Sequence, residues 1–438
     1  MGRILIRGGR ILDPATDRDA PGDVLIEDGR ISGVEDSIEA SDAEIIDAAG
    51  CWVAPGFVDM HTHLREPGQE YKENIGSGGR AAVAGGFTAV ACMANTNPVN
   101  DDPSVTDYIL DRARQDSPAR IYPVAAATKG LAGEVMTEMV ALVAAGAVAF
   151  SDDGMTIMDS GVQRRVLLYS RLVEAPVIVH AEDRTLVGKG VVNEGPVSTR
   201  LGLPANPSVA ETVLVARDLM LAELSGAHLH VAHVSTAGAV ELIREARNRG
   251  LQVTAEVTPH HLTLTDEATL GFDTNTKMAP PLRSAADVEA CRQGLADGTI
   301  DAVATDHAPH AVHEKEVEFT EAPNGVLGLE TALPVVLDLV RSETLTPLQL
   351  IRRMTANPAR ILGQEGGRLD TGSPADVAVI DPERSWVYDP YKGYSKSRNS
   401  PWAGQTLQGR TVATLVAGRL VYAVDRGVLV PGSRGDLP

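Results

Sequence analysis

A chain of 438 residues is too long for one small core and suits one large α/β unit with a modest second one. Apolar residues at 43% and charged residues at 22% are ordinary for a globular protein. A formal net charge of −20 argues against nucleic acid and anionic membranes as partners, because both need basic patches.

An anionic small molecule remains compatible with that charge, since one local arginine outweighs distant, screened acidic groups. Cys51, Cys92 and Cys291 are widely spaced and odd in number. They outline neither a disulfide framework nor a cysteine zinc site, which favours a reducing compartment. The N-terminal MGRILIRGGRILDP alternates apolar with polar residues, and no apolar run reaches the ~18 residues of a membrane span. The expected location is the cytoplasm.

In chain order, ILIRGGRILD, DVLIEDGRISGVE and EIIDAAGCWV are β-branched, alternating segments broken by Gly and Asp, and they read as short strands. The same texture returns in PADVAVIDPE and TVATLVAGRLVYAV. Neither end can build a core alone, so residues 1–53 and 367–438 are paired into one discontinuous β-domain. Between them, in 54–366, strand-like runs alternate with helical stretches: GFVDMHTH, GFTAVACMANT, RIYPVAAATK, GAVAFSDDG, PVIVHAE, HLHVAHVS, QVTAEVTPHH and DAVATDHAPH. Helical sequence follows most of them, as in ETVLVARDLMLAEL and AVELIREARNRG. Eight strand–helix units in ~310 residues fit an α/β fold of the (β/α)8 TIM-like barrel type. The tail VPGSRGDLP is expected to fray.

Barrel chemistry sits at the C-terminal strand ends, and this chain ends its runs in His61 and His63, Asn95, Asp152–Asp153, His180, His233, and Asp306–His307. Two histidines two apart on a strand face the same way, with Cα atoms ~6.6 Å apart, and can share one metal ion. With His180, His233, one aspartate of the Asp152–Asp153 pair and Asp306 they make a four-His, two-Asp set suited to zinc. Asp306 can both ligate a metal and act as general base. Alternation puts His228 and His230 on the opposite face of their strand from His233, as structural residues.

The segments VAPGFVDMHTHLREPG, ACMANTNP, SDDG, VIVHAED, VAHVST, TPHHL, KMAPPLR and ATDHAPH resemble the dihydroorotases of the amidohydrolase superfamily. The resemblance implies zinc-dependent, reversible hydrolysis of L-dihydroorotate to N-carbamoyl-L-aspartate in pyrimidine biosynthesis. It implies two Zn2+ per subunit, one on His61, His63 and Asp306 and a second on His180 and His233. Asp153 would bridge them, in the place of the carboxylated lysine many superfamily members use, with Asp152 as the neighbouring competitor. His63, Arg65, Asn95 and His310 would contact substrate, with backbone around Asn324–Gly325, and the loop APHAVHEKE could close over the site. Asp306 would be catalytic. The family often carries Asn where this chain has Ala279, so one substrate hydrogen bond is missing or comes from a neighbour such as Asn275. A small-molecule substrate is expected, together with a homo-oligomer or an association with aspartate transcarbamoylase. Two alternatives remain. One is a hydantoinase- or allantoinase-like activity, against which Arg65 and Asp153 both count; the other is an inactive partner chain, which would be expected to have lost metal ligands.

Overall fold

Branched side chains alternating with polar ones favour pleated strands with one dry face, and the N-terminal segment forms five of them. In the computed structural model, which describes residues 2–429, these are β1 (Ile4–Asp13), β2 (Arg18–Glu27), β3 (Arg30–Glu35), β4 (Glu44–Asp47) and β5 (Trp52–Pro55). β1 pairs antiparallel with β2 and parallel with both β4 and β5. The tail expected to fray, residues 430–438, lies outside the described residues.

The eight runs of the central segment all contribute to one parallel sheet. Its strands are β6 (Phe57–Thr62), β7 (Phe87–Cys92), β8 (Arg120–Ala125), β9 (Ala149–Phe150), β10 (Val177–Val179), β13 (Leu229–Val231), β14 (Val253–Val257) and β15 (Ala302–Val303). An excursion between β10 and β13 adds a two-stranded ladder, β11 (Val192–Asn193) with β12 (Ala205–Asn206). The sheet closes between its first and last strands. Thr62 bridges His307 in parallel, His63 N–H donates to the His307 carbonyl at 2.9 Å, and Thr305 N–H donates to Asp59 Oδ1 at 3.1 Å. This is the (β/α)8 barrel expected from the alternating runs.

Period-two alternation sorts the strand side chains. Leu229 and Val231 of β13, and Val253, Ala255 and Val257 of β14, join Leu214, Leu219, Val240 and Ile243 in the principal hydrophobic cluster. Those last four come from the helices Val209–Ser225 and Ala237–Asn248. The intervening His230, Thr254 and Glu256 therefore face the barrel axis, and all three are buried.

Helix Val209–Ser225 ends where Gly226 takes φ +66°, a left-handed cap whose N–H donates to the Ala222 carbonyl at 2.8 Å. It is apolar on two sides. Leu214, Val215, Leu219 and Ala222 are buried, whereas Val209, Val213, Met220 and Leu224 are exposed.

After the barrel the chain returns as β16 (Val377–Val387), β17 (Thr406–Val416), β18 (Arg419–Ala423) and β19 (Gly427–Val428). β16 pairs antiparallel with β5, so the sheet runs β19-β18-β17-β16-β5-β1-β2-β3 with β4 beside β1. Its core joins Ile6, Ile11, Val24 and Val53 from one end of the chain to Val377, Val379 and Leu415 from the other.

Candidate active site

The C-terminal mouth of the barrel gathers the strand-end residues into one buried group. His61 Nδ1–H donates to Glu256 Oε1 at 2.8 Å, which turns Nε2 toward the mouth. His63 Nδ1–H donates to Asn95 Oδ1 at 2.9 Å, leaving its Nε2 at 3.0 Å from Asp306 Oδ1. His180 Nδ1 and His233 Nε2 lie 2.9 Å apart. Asp153 stands between the two histidine pairs. Its Oδ1 is 3.3 Å from His61 Nε2, 3.7 Å from His180 Nδ1 and 3.6 Å from His233 Nε2, and its Oδ2 is 3.5 Å from His63 Nε2. Asp152, its neighbour, turns away to accept the Thr128 N–H at 2.9 Å. Lys129 is also remote, donating to the Asp101 carbonyl at 2.7 Å.

Two overlapping donor sets result, His61 with His63 and Asp306, and His61 with Asp153 and His233. His61 Nε2 and Asp153 Oδ1 are buried without a hydrogen-bond partner, a costly arrangement unless something else satisfies them. A borderline divalent cation is the partner that imidazole nitrogens and carboxylate oxygens at these separations fit. The residues present therefore suit a metal.

Charge is equally concentrated. Burial opposes ionisation of His61, but Asp153, Glu256 and Asp306 outweigh it and hold its pKa well above the ordinary value. Burial also works against the Asp153 and Asp306 carboxylates, yet the surrounding imidazoles hold both below the usual range. Three of the residues here carry left-handed backbone: Arg65 at φ +63°, His233 at +35° and Asp306 at +47°. Such conformations cost energy in non-glycine residues and cluster at functional sites.

Above the donor group lies a cleft of about 230 Å³. His63, Arg65, Asn95, Asp153, His180, His233, Asp306, His310, Asn324 and Gly325 line it, together with Glu182, Ala279 and Ala308. Larger cavities of about 860 and 910 Å³ open elsewhere and include none of the metal-competent residues just described. Arg65 is 8% exposed, donates Nε–H to the Pro309 carbonyl at 3.2 Å, and has no carboxylate within ion-pair distance among the described residues. Its Nη2 lies 3.4 Å from His310 Nε2, and a buried guanidinium without a carboxylate partner, facing a cleft, is a receptor for an anion. His310 donates Nε2–H to the Asn324 carbonyl at 2.8 Å, while its Nδ1 is buried without a partner. Burial, then Arg65 and Lys315, lower its pKa to about 3, so the ring is neutral.

Some backbone at the mouth is already committed. Gly325 N–H donates to Lys277 O at 2.9 Å, and its carbonyl accepts from Asn399 Nδ2 at 3.0 Å. Gly325 sits at φ +137°, where a Cβ would approach Ala308 Cβ to 2.6 Å, so no side chain fits. The loop that could close over the site is hydrogen-bonded to its surroundings at Lys315 and Glu314. Lys315 Nζ donates to the Pro323 and Thr274 carbonyls at 2.7 and 2.9 Å, and Lys72 pairs with Glu314 at 2.9 Å. Asn275, the neighbour considered as a substitute at position 279, does not line the cleft.

Two carboxylates escaped the sequence reading. Glu182 Oε2 lies 3.6 Å from His180 Nε2, and its Oε1 accepts from Asn206 Nδ2 at 2.8 Å; its pKa falls to about 2 because His180 and Asn206 outweigh burial. Glu256, in the middle of β14, is fully buried. Its signal was present as an acid within the apolar run VTAEV, which must find a partner inside. The separation of His230 from His233 by alternation also needs correction. His230 faces the axis beneath the site, and the left-handed backbone at His233, past the end of β13, turns that side chain to the same interior.

Comparison with known proteins agrees with this geometry. A family described as Dihydro-orotase-like matches residues 50–239. The chain is 56% identical to the dihydroorotase of Anaeromyxobacter dehalogenans strain 2CP-C over 96% of this chain and 98% of that one. It is 55% identical to that of Syntrophotalea carbinolica over 97% and 100%. Among solved structures, the L-hydantoinase (dihydropyrimidinase) of Arthrobacter aurescens superposes with a TM-score of 0.88 at 27% identity, covering 98% of each chain. The D-hydantoinase of Bacillus sp. AR9 gives 0.84 at 26% identity, over 97% of this chain and 96% of that one.

Proposed function

The chain belongs to the dihydroorotase family and is a cyclic amidohydrolase, and we propose that it carries out the zinc-dependent, reversible hydrolysis of L-dihydroorotate to N-carbamoyl-L-aspartate, a step of pyrimidine biosynthesis. The observation that supports this substrate is the buried Arg65 beside the donor group, which has no carboxylate partner among the described residues. A ring bearing a carboxylate answers it; a plain hydantoin does not.

In this reading His61, His63 and Asp306 would hold one zinc, His180 and His233 would hold a second, and Asp153 would contribute to both. Bound zinc supplies Lewis-acid polarisation of the scissile carbonyl and lowers the pKa of water. The chain's own groups do the rest. Arg65 takes the substrate carboxylate in its fork. Asn95 spends Oδ1 on His63 and keeps its Nδ2 donors for a ring oxygen. His310, Asn324 and Gly325 wall the ring. Water adds across the ring amide, its hydroxyl to the carbonyl carbon and its proton, carried by Asp306, to the departing nitrogen. A carboxylate and a ureido group result, and ring closure reverses each transfer. Residues 54–366 form the catalytic unit, with 1–53 and 367–438 as its β-domain.

Hydantoinase activity is the second reading, favoured by the structural neighbours. Turnover of dihydroorotate and of unsubstituted hydantoin, by the native enzyme and by Arg65→Lys, separates the two. Dihydroorotate should be preferred, and the variant should lose ~1–3 kcal/mol of its kcat/KM with that substrate alone. Preference for hydantoin would reverse the assignment.

The cytoplasmic setting is supported by three free cysteines, Cys92 and Cys291 of them buried. No helix of the described residues is long and apolar enough to cross a membrane. Self-association, or an assembly with aspartate transcarbamoylase, would give the exposed side of helix Val209–Ser225 a partner.

A further inference from the structure

Three of the metal-competent histidines, His61, His63 and His180, use their second ring nitrogens differently. His63 donates to a neutral amide, Asn95 Oδ1, at 2.9 Å. His180 Nε2 stands 3.6 Å from Glu182 Oε2, beyond hydrogen-bond range. His61 alone donates to a carboxylate, Glu256 Oε1, at 2.8 Å, from a strand 195 residues away in sequence. Glu256 has no exposed surface, and its other oxygen lies 3.2 Å from His230 Nε2, a close but poorly aligned contact. His230 Nδ1 in turn lies 2.9 Å from Thr254 Oγ1. The Glu256 carbonyl also accepts the Val234 N–H at 2.9 Å, which ties down the residue after His233.

A fully buried carboxylate whose polar contacts among the described residues are two imidazoles is an expensive way to fill a barrel interior that elsewhere uses alanine, valine, methionine and isoleucine. We infer that Glu256, with His230 within ion-pair distance behind it, is a positioning residue that fixes the tautomer and ring orientation of His61, so that Nε2 faces the metal site. Outer partners of this kind typically govern metal affinity by 10–100-fold. The inference rests on the reading of His61 as a metal ligand. It adds a role for two residues that contact neither metal nor substrate.

The test is zinc affinity of the metal-stripped full-length protein, measured by competition with a chromogenic chelator, for the native chain, Glu256→Gln and His230→Gln. Melting of each metal-free form is followed alongside. Glu256→Gln keeps shape and an acceptor but removes the charge. It should bind zinc ~10–100-fold more weakly while its metal-free form melts within a few degrees of the native one. His230→Gln, which leaves Glu256 in place, should weaken zinc binding by a smaller factor, and it decides the matter if the first variant does not fold. Native-like affinity in whichever variants fold overturns the inference while leaving the metal site standing. A native chain that binds no zinc overturns both.

Discussion

Asp152 and Asp153 are neighbours in sequence with opposite surroundings. Asp153 reaches four imidazole nitrogens within 3.7 Å, whereas Asp152 caps the Thr128 N–H and hydroxyl. Asp153→Ala should abolish both zinc binding and activity. Asp152→Ala should retain metal and lose about 1–3 kcal/mol of stability, the cost of an unsatisfied buried donor. Elemental analysis with thermal melting reads both; the reverse ranking would reassign the bridge. What could be read in the sequence here was the strand-end pattern, because a polar residue closing an apolar run at a barrel mouth has few structural uses. Glu256 was harder to read, since a lone acid inside a strand does not name its partner, and that partner, His61, lies 195 positions away. His233 was misplaced relative to His230 because period-two alternation fails where φ turns positive.

At the scale of the element, helix Val209–Ser225 carries a titratable group where its core face needs none. Asp218 is 1% exposed, accepts from Arg217 Nε at 2.9 Å, and has Oδ2 without a partner. Burial lifts its pKa from 3.8 to about 6, with Arg217 opposing. A carboxyl raised in the folded state favours folding below the unfolded pKa and loses that contribution as pH rises through the folded one. Stability from this group therefore falls between pH 3.8 and about 6, by about 3 kcal/mol. Asp218→Asn keeps the acceptor for Arg217 and removes the titration. Its melting temperature should exceed that of the native chain at pH 7, and the gap should close by pH 4. A gap independent of pH would mean the carboxyl titrates normally. The helix itself was legible from its apolar spacing, but the burial of its acid was not, because only packing decides which side of a doubly apolar helix is buried.

For the whole molecule, that second apolar side is exposed surface. Val209, Val213, Met220 and Leu224 form a stripe at i, i+4, i+11 and i+15, 44–69% exposed, and Leu172, next to an arginine that bonds the Ser225 carbonyl at the helix end, is 77% exposed. A helix apolar all round is normally buried all round. A contiguous exposed apolar stripe of this kind marks an interaction surface, of which a stable interface takes ~800 Å² from each side. Two copies packed across a twofold axis would cover it. Light scattering at micromolar concentration should give a dimer or higher assembly, and Leu224→Glu should give a monomer with its zinc retained. A monomeric native chain would leave the stripe for a different protein.

The barrel, the return of the C-terminal strands to the N-terminal sheet and the gathering of donors at one mouth all serve a single chemical claim, that a bound metal is required for turnover. It is tested by stripping the enzyme with chelator, verifying the loss by elemental analysis, and following dihydroorotate ring opening before and after zinc is restored. Turnover should vanish with the metal and return in proportion to the zinc bound. Full turnover by protein verified free of metal would contradict the account.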